Sequence, residues 1–396
     1  MKSRTIAKIS RIVKIVFICG AFFYSYKFYP NIQQKRFPNP LSEVKEGNLK
    51  DKVSDSVQYY HISELDIIGK LPLTETYSRL PQEAKDKVRQ PVWNLSKKTA
   101  GISIRFTSNT TAVKLRWTLS SNVIMSNTTP IASKGFDLYA YRNGKWQFAG
   151  VARPQNSITN QAVIIDGMQQ EDREYLLNLP LYDGVVSAEI GIDQNAYIKK
   201  PVNHIIDKTN PIIFYGTSIT QGASASRPGL TYAALIQRKL NKEVINLGFS
   251  GNGRFEKEIA EFFMKASPSL IVLDCTPNSS AEIIRKNLPQ LLEYVRSVND
   301  TVPIIFIESI VRDFAYFKED NETVFGSISF INQQNSALSE IYSEFSANDD
   351  NLYYLKKDDL IGNDNEATLD GTHFNDLGHF RAYEKLTEKI KEIILP

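Results

Sequence analysis

The hydrophobic rhythm of the chain changes as it runs. Between about residues 56 and 205, apolar and polar positions alternate over short runs. These include Ala100-Gly101-Ile102-Ser103-Ile104-Arg105-Phe106, Thr111-Ala112-Val113-Lys114-Leu115-Arg116-Trp117 and Phe136-Asp137-Leu138-Tyr139-Ala140-Tyr141. Alternation of period two marks strands with one buried face. Turn residues such as Arg142-Asn143-Gly144-Lys145 separate the runs, a hairpin signal. Short strands at this spacing predict a β-sandwich. From 206 onward, apolar runs alternate with segments of helical period. Strands are expected at 212–216, 244–248, 270–275, 303–308 and 352–356, and helices at 231–241, 254–266, 280–299, 325–345 and 374–394. Strands separated by helices pair in parallel through right-handed crossovers, which predicts an α/β, doubly wound parallel sheet. Pro289 falls inside the third helix. It removes a backbone N–H, so that helix is expected to start late, kink or break there.

The first 55 residues follow neither pattern. Lys2, Arg4, Lys8, Arg11 and Lys14 precede an apolar run from Ile15 to Tyr26, the order of a secretory signal. The run is short against the roughly 20 apolar residues of a membrane span. Counted from Ile12 to Tyr29, with Lys14 and Lys27 reaching outward at its ends, it is long enough to cross. No small-x-small cleavage site follows. The expectation for 1–30 is therefore a signal-anchor, in preference to a cleaved signal peptide. The basic flank would then stay in the cytoplasm and the rest of the chain outside, in the periplasm, at the cell surface or secreted. Cys19 lies within the apolar run and makes a poor lipidation site. Residues 31–55 are polar, contain Pro and Lys, and read as a linker. The expected domains are thus 56–205 and 206–396.

Composition narrows the chemistry. With 396 residues, 42% hydrophobic and 23% charged, the chain has room for two globular domains and a tail. A net charge of +3, with basic residues scattered, gives no reason to expect nucleic acid as a partner. Two cysteines, Cys19 and Cys275, exclude a disulfide framework and a cysteine-based zinc site. Cys275 has no basic neighbour in sequence and reads as a buried strand residue. Four histidines, His61, His204, His373 and His379, argue against histidine-rich metal binding and leave few candidates for a general base.

Pro211-Ile212-Ile213-Phe214-Tyr215 leads into Gly216-Thr217-Ser218-Ile219-Thr220-Gln221-Gly222. A serine so placed sits at the carboxyl end of a parallel strand, where open α/β sheets build their sites. The glycines give the backbone room to turn and a substrate room to approach. Alone, Ser218 reads more readily as a turn or cap residue than as a nucleophile. Near the other end, Asp370-Gly371-Thr372-His373 puts an acid and an imidazole three residues apart just before a helix. A serine nucleophile needs a base, and the base an orienting carboxylate. Plainer roles exist for these as well: Asp370 as a helix cap, His373 as a structural histidine. His379, six residues on, is the weaker candidate base.

Four blocks in order resemble the SGNH (GDSL-like) hydrolases over residues 210 to the end. Gly216–Gly222 resembles their first block and Asp370–His373 their last. Asn246-Leu247-Gly248-Phe249-Ser250-Gly251-Asn252-Gly253 resembles the second, and Leu273-Asp274-Cys275-Thr276-Pro277-Asn278 a variant of the third. The third block of that family reads Gly-x-Asn-Asp, where this chain has Thr276-Pro277-Asn278-Ser279. The resemblance implies a three-layer, flavodoxin-like sheet and a metal-free, cofactor-free acyl-enzyme mechanism. It implies Ser218 as nucleophile, His373 as base, Asp370 as its orienter, and an oxyanion hole of the Ser218 amide, the Gly251 amide and the Asn278 side chain. Gly248 is the alternative to Gly251. Upstream, Gly135-Phe136-Asp137-Leu138-Tyr139, with Tyr77–Pro81 and Val92–Ser96, resembles the GxDLY-type domain that precedes such hydrolases. Trp93, Trp117, Tyr139, Tyr141 and Trp146 are candidate sugar-stacking surfaces there, against the plainer reading that they pack a core. Together these resemblances imply an esterase that takes acetyl or other small acyl groups from carbohydrate. A lipase-like or thioester hydrolase and a non-catalytic glycan-binding protein are the alternatives.

Overall fold

The computed structural model describes residues 57–75, 77–202 and 205–394. The expected signal-anchor, the whole of the expected linker and His204 lie outside these residues. Among the described residues no helix is long and apolar enough to cross a membrane.

The alternating segment forms two antiparallel sheets. One runs in the order Val57–His61 (β1), Val185–Asp193 (β9), Val113–Leu119 (β4), Thr159–Ile165 (β7). The other runs Ile198–Lys199 (β10), Ser103–Ser108 (β3), Arg173–Asn178 (β8), Phe136–Arg142 (β5), Lys145–Ala152 (β6), with Asp66–Ile68 (β2) also paired to β3. The apolar set of each strand points inward, Ile104, Phe106, Val113, Leu115, Trp117, Phe136 and Leu138 meeting in one core. The β5–β6 hairpin turns on Asn143 (φ 51°) and Gly144 (φ 76°), the two left-handed residues that a type I′ turn demands. The aromatic side chains largely pack. Trp117 is buried and donates its Nε1–H to the Lys134 carbonyl at 3.1 Å. Tyr139 is buried in a small cluster beside Ile68, Leu176 and Ile206, and half-buried Trp146 donates to Asn241 Oδ1 at 3.0 Å. Trp93 lies outside the sandwich altogether, on the Gln90–Ser96 helix.

The remaining strands are Asp207–Gly216 (β11), Lys242–Gly248 (β12), Leu270–Asp274 (β13), Ile304–Ile307 (β14) and Leu352–Leu355 (β15), all parallel, in the order β12-β11-β13-β14-β15. Both faces are covered, so the strands are continuously apolar. Ile213, Tyr215, Leu247, Leu273 and Phe306 face one core. Ile212, Phe214, Val244, Val272 and Ile305 face the other. This is a three-layer, doubly wound sheet whose strand order reverses at β11, the topological switch point where such sheets bind ligands. Leu71, Leu80, Ala84, Val92 and Trp93 join the first of these cores. The segment before β3 thus packs on the parallel sheet.

Pro289 does not start, break or end its helix: Ala281–Val298 runs through it. Ile284, Leu288, Leu291, Leu292 and Val295 are buried along one face. Each buried aliphatic side chain contributes about 1.5–3 kcal/mol, enough to offset the roughly 3 kcal/mol cost of an interior proline. The carbonyl left without its partner belongs to Arg285, on the exposed face.

Candidate active site

Three strands end level with one another. Gly216 pairs with Gly248 on one side and with Asp274 on the other, so the loops after β11, β12 and β13 open at one edge. After β11 the chain turns at once into the short helix Ser218–Gln221. Thr217 caps it, accepting from the Ile219 amide at 3.2 Å, while Thr220 Oγ1 accepts from the Thr217 amide at 3.1 Å. Gly216 makes room for this turn. A Cβ there would stand 2.0 Å from Thr220 Oγ1, so the space expected for substrate is filled by the protein's own threonine. Gly222 closes the helix at φ 105°, in the left-handed region that suits glycine.

Ser218 Oγ lies 2.9 Å from His373 Nε2, and His373 Nδ1 lies 2.8 Å from Asp370 Oδ2. A hydroxyl donating to Nε2 and an Nδ1–H donating to the carboxylate form one continuous line. The other oxygen, Asp370 Oδ1, accepts from the backbone amides of Thr372 at 3.1 Å and His373 at 2.9 Å. Partial burial opposes ionisation of Asp370. The backbone and ring of His373 and the side chain of Asn127 outweigh it and hold the carboxyl at about 2. It therefore stays charged at neutral pH.

Asn127 has no counterpart in the sequence reading. It reaches over from the loop after β4, and its Nδ2 donates to Asp370 Oδ2 at 3.1 Å while standing 3.4 Å from His373 Nδ1. Its loop is fixed to the chain just beyond the Ser218–Gln221 helix: Ser224 Oγ donates to the Asn127 carbonyl at 2.8 Å, and the Ser224 amide to Thr128 Oγ1 at 3.3 Å.

Of the two glycines weighed for the oxyanion hole, Gly248 has its amide occupied, donating to Asn246 Oδ1 at 2.9 Å. A Cβ on Gly248 would lie 2.1 Å from the Gln221 nitrogen, whereas Gly251, at φ 70°, has open space at that position. The amides of Ser218 and Gly251 make no hydrogen bond among the described residues. Asn278, in the turn after β13, has a buried Nδ2 with no partner. An unpaired buried donor is costly unless something arrives to accept from it.

His379 stands elsewhere. It is fully buried, with its Nδ1 accepting from the Tyr232 amide at 3.4 Å and its Nε2 facing the Ala223 carbonyl at 3.3 Å. Burial lowers it to about 4, so it is a neutral structural residue. Cys275 is buried too, its thiol donating to the Tyr215 carbonyl at 3.5 Å and pushed up by burial. Among the described residues no cluster of three His, Cys, Asp or Glu side chains is placed to hold a metal.

The family model of the GDSL-like lipase/acylhydrolases matches residues 209–391, and the model of the GxDLY N-terminus of SGNH-hydrolase-type esterases matches 57–198. A GDSL-like lipase from Bacteroides ovatus is 37% identical, with a TM-score of 0.79, over 86% of this chain and 98% of its own. The chain belongs to the GDSL-like (SGNH) hydrolases. A salicylyl-acyltransferase from a tetracycline biosynthetic pathway shares the fold at 17% identity and a TM-score of 0.69, with 86% and 98% coverage. So does a family two carbohydrate esterase from Cellvibrio japonicus, at 10% identity and a TM-score of 0.56, with the same coverage. No curated protein matches the chain by sequence. For this SGNH hydrolase the GxDLY stretch has a visible task. Asp137 is fully buried and accepts from Arg227 Nη1 at 2.7 Å, the Gly229 amide at 2.9 Å and Asn178 Nδ2 at 2.8 Å. Tyr139 also takes a hydrogen bond from Arg227. The motif grips the loop that follows the Ser218–Gln221 helix.

Proposed function

We propose that this SGNH hydrolase is a serine esterase that removes acetyl or other small acyl groups from carbohydrate. The observation that carries the reading is the continuous line from Ser218 through His373 to Asp370, with three unpaired donors on the loops around Ser218. In this mechanism Ser218 Oγ attacks the acyl carbonyl as its proton passes to His373 Nε2. The resulting oxyanion takes hydrogen bonds from the Ser218 and Gly251 amides and Asn278 Nδ2, and Asp370 stabilises the imidazolium. Nε2 then gives the proton to the departing sugar oxygen, leaving an acyl-serine. Water repeats the sequence and frees the acid and the serine.

Carbohydrate as the alcohol is supported by the carbohydrate esterases among the proteins of like fold. The reading also puts the enzyme outside the cytoplasm, led or tethered there by its basic and apolar N-terminal segment; protease accessibility on intact cells tests that. A second reading, longer acyl chains, has an observation of its own. Val123 and Ile124, on the Asn127 loop, and Leu369, beside Asp370, are more than half exposed, an apolar rim suited to an acyl tail.

Hydrolysis of 4-nitrophenyl acetate and octanoate separates the readings. The small-acyl enzyme prefers acetate, and Ser218→Ala or His373→Ala lowers kcat at least 10,000-fold. Octanoate preference favours the second reading. Turnover that survives Ser218→Ala overturns the nucleophile, and an inactive wild type points to a glycan-binding protein.

A further inference from the structure

Resting on that reading of the catalytic site, we propose that a cleft beside it, walled by Tyr316 and Phe317, is the subsite for the pyranose chain that carries the acyl group. The cleft has a volume of about 690 Å³ and opens among the segments that follow β14 and β15. That is within the roughly 300–1,000 Å³ of small-molecule sites.

Its position ties it to the chemistry. The Asp313 amide donates to the Gly371 carbonyl at 3.1 Å, and the Asp313 carboxylate accepts from Thr368 Oγ1. A Cβ on Gly371 would meet the Phe314 ring at 2.6 Å. The segment that carries Tyr316 and Phe317 is therefore packed against the turn between Asp370 and His373.

Its lining fits a sugar better than an acyl tail. Tyr316 is 63% exposed and Phe317 91%, neighbouring aromatic faces left to solvent at the cleft mouth. The lining also includes Lys357 and Asp358, which pair with each other at 3.5 Å, and Asn363 and Asn365, whose side-chain amides make no hydrogen bond among the described residues. A pyranose has apolar C–H faces and a rim of hydroxyls. Aromatic rings take the faces, while amide, ammonium and carboxylate groups take the rim. An alkyl chain would leave the Asn363 and Asn365 amides without partners where it covers them, at a cost of about 1–3 kcal/mol for each one buried.

The test uses the full chain with Tyr316→Ala, Phe317→Ala and Asn363→Ala variants on 4-nitrophenyl acetate and on chemically acetylated xylan, mannan and cello-oligosaccharides. The expected result is a KM raised at least 5-fold on the polymer that the wild type turns over, with kcat/KM for 4-nitrophenyl acetate within 2-fold of wild type. Unchanged polymer KM in all three variants overturns the subsite while leaving the carbohydrate reading intact. If the wild type takes 4-nitrophenyl acetate but no acetylated polymer, the substrate reading fails by itself. The cleft is then judged by calorimetric binding of the deacetylated oligosaccharides to Ser218→Ala. Binding abolished by Phe317→Ala supports the subsite, and absence of binding overturns it.

Discussion

At the scale of single residues, the meeting of Ser218, His373 and Asp370 was legible because each sits in a short local pattern tied to a strand end or a helix start. Asn278 was legible as an identity in an altered block, and its role now rests on a buried Nδ2 with no partner. Asn278→Ala is expected to lower kcat for 4-nitrophenyl acetate by about 100- to 1,000-fold with little change in KM, as loss of one oxyanion donor does. Equal losses in kcat at unchanged affinity for a phosphonate analogue of the tetrahedral state would contradict that role. Asn127 was not legible. It meets Asp370 across 243 residues, and nothing in Ser126-Asn127-Thr128 distinguishes it from an ordinary loop. The Gly248 and Gly251 alternative likewise needed coordinates, because a hydrogen bond from Gly248 to Asn246 decides which amide is free.

At the scale of elements, period and turn chemistry located every parallel strand and the five long helices to within a few residues. The miss at Pro289 arose because a local rule was outweighed by a buried face. A second effect was hidden for the same reason: the Tyr232–Leu240 helix begins between two buried titratable groups. Its Tyr232 hydroxyl donates to Asp274 Oδ2 at 2.8 Å, alongside Thr220 Oγ1 at 2.8 Å, and its amide reaches His379. Burial raises Asp274 from 3.8 to about 6 against those two hydrogen bonds. The folded state then binds its proton more tightly than the unfolded one, so this residue's contribution falls as pH rises from about 4 to about 6. His379 is lowered from 6.5 to about 4, so its contribution is full above pH 6.5 and lost as pH falls toward 4. The two trends oppose each other in one window. His379→Gln should therefore be most destabilised relative to wild type above pH 6.5, with the gap closing toward pH 4. Asp274→Asn should gain on wild type as pH rises through the same range. Urea midpoints at acid, intermediate and neutral pH check both, and a pH-independent gap in either variant would exclude the linkage.

At the scale of the whole molecule, the sandwich is part of the frame of the catalytic edge. Arg79, from the segment before β3, is fully buried and donates to the carbonyls of Asn246 and Gly248 at 3.2 and 2.6 Å, fixing the end of β12 from which the Gly251 loop departs. Burial lowers its guanidinium to about 9, so it remains charged at neutral pH. Asn127 braces the acid from above, and Asp137 with Tyr139 holds Arg227 and Gly229. This predicts that stability and turnover fall together when the grip is cut. Asp137→Ala strands a partly buried guanidinium, with side chains 19% and 0% exposed across the pair, and also orphans the Gly229 amide. Breaking such a pair costs about 3–5 kcal/mol. Replacing both partners, as in Asp137→Ala with Arg227→Ala, should recover part of that stability, because the stranded Arg227 guanidinium is removed with its partner. Turnover should not recover in the double variant, since the loop carrying Ser224 loses its anchor either way and Ser224 holds the Asn127 loop. Thermal midpoints and kcat on 4-nitrophenyl acetate for the two single variants and the double variant separate these effects. An independent accessory domain would show the stability changes with kcat untouched. A catalytic frame built from both sheets shows kcat reduced in all three.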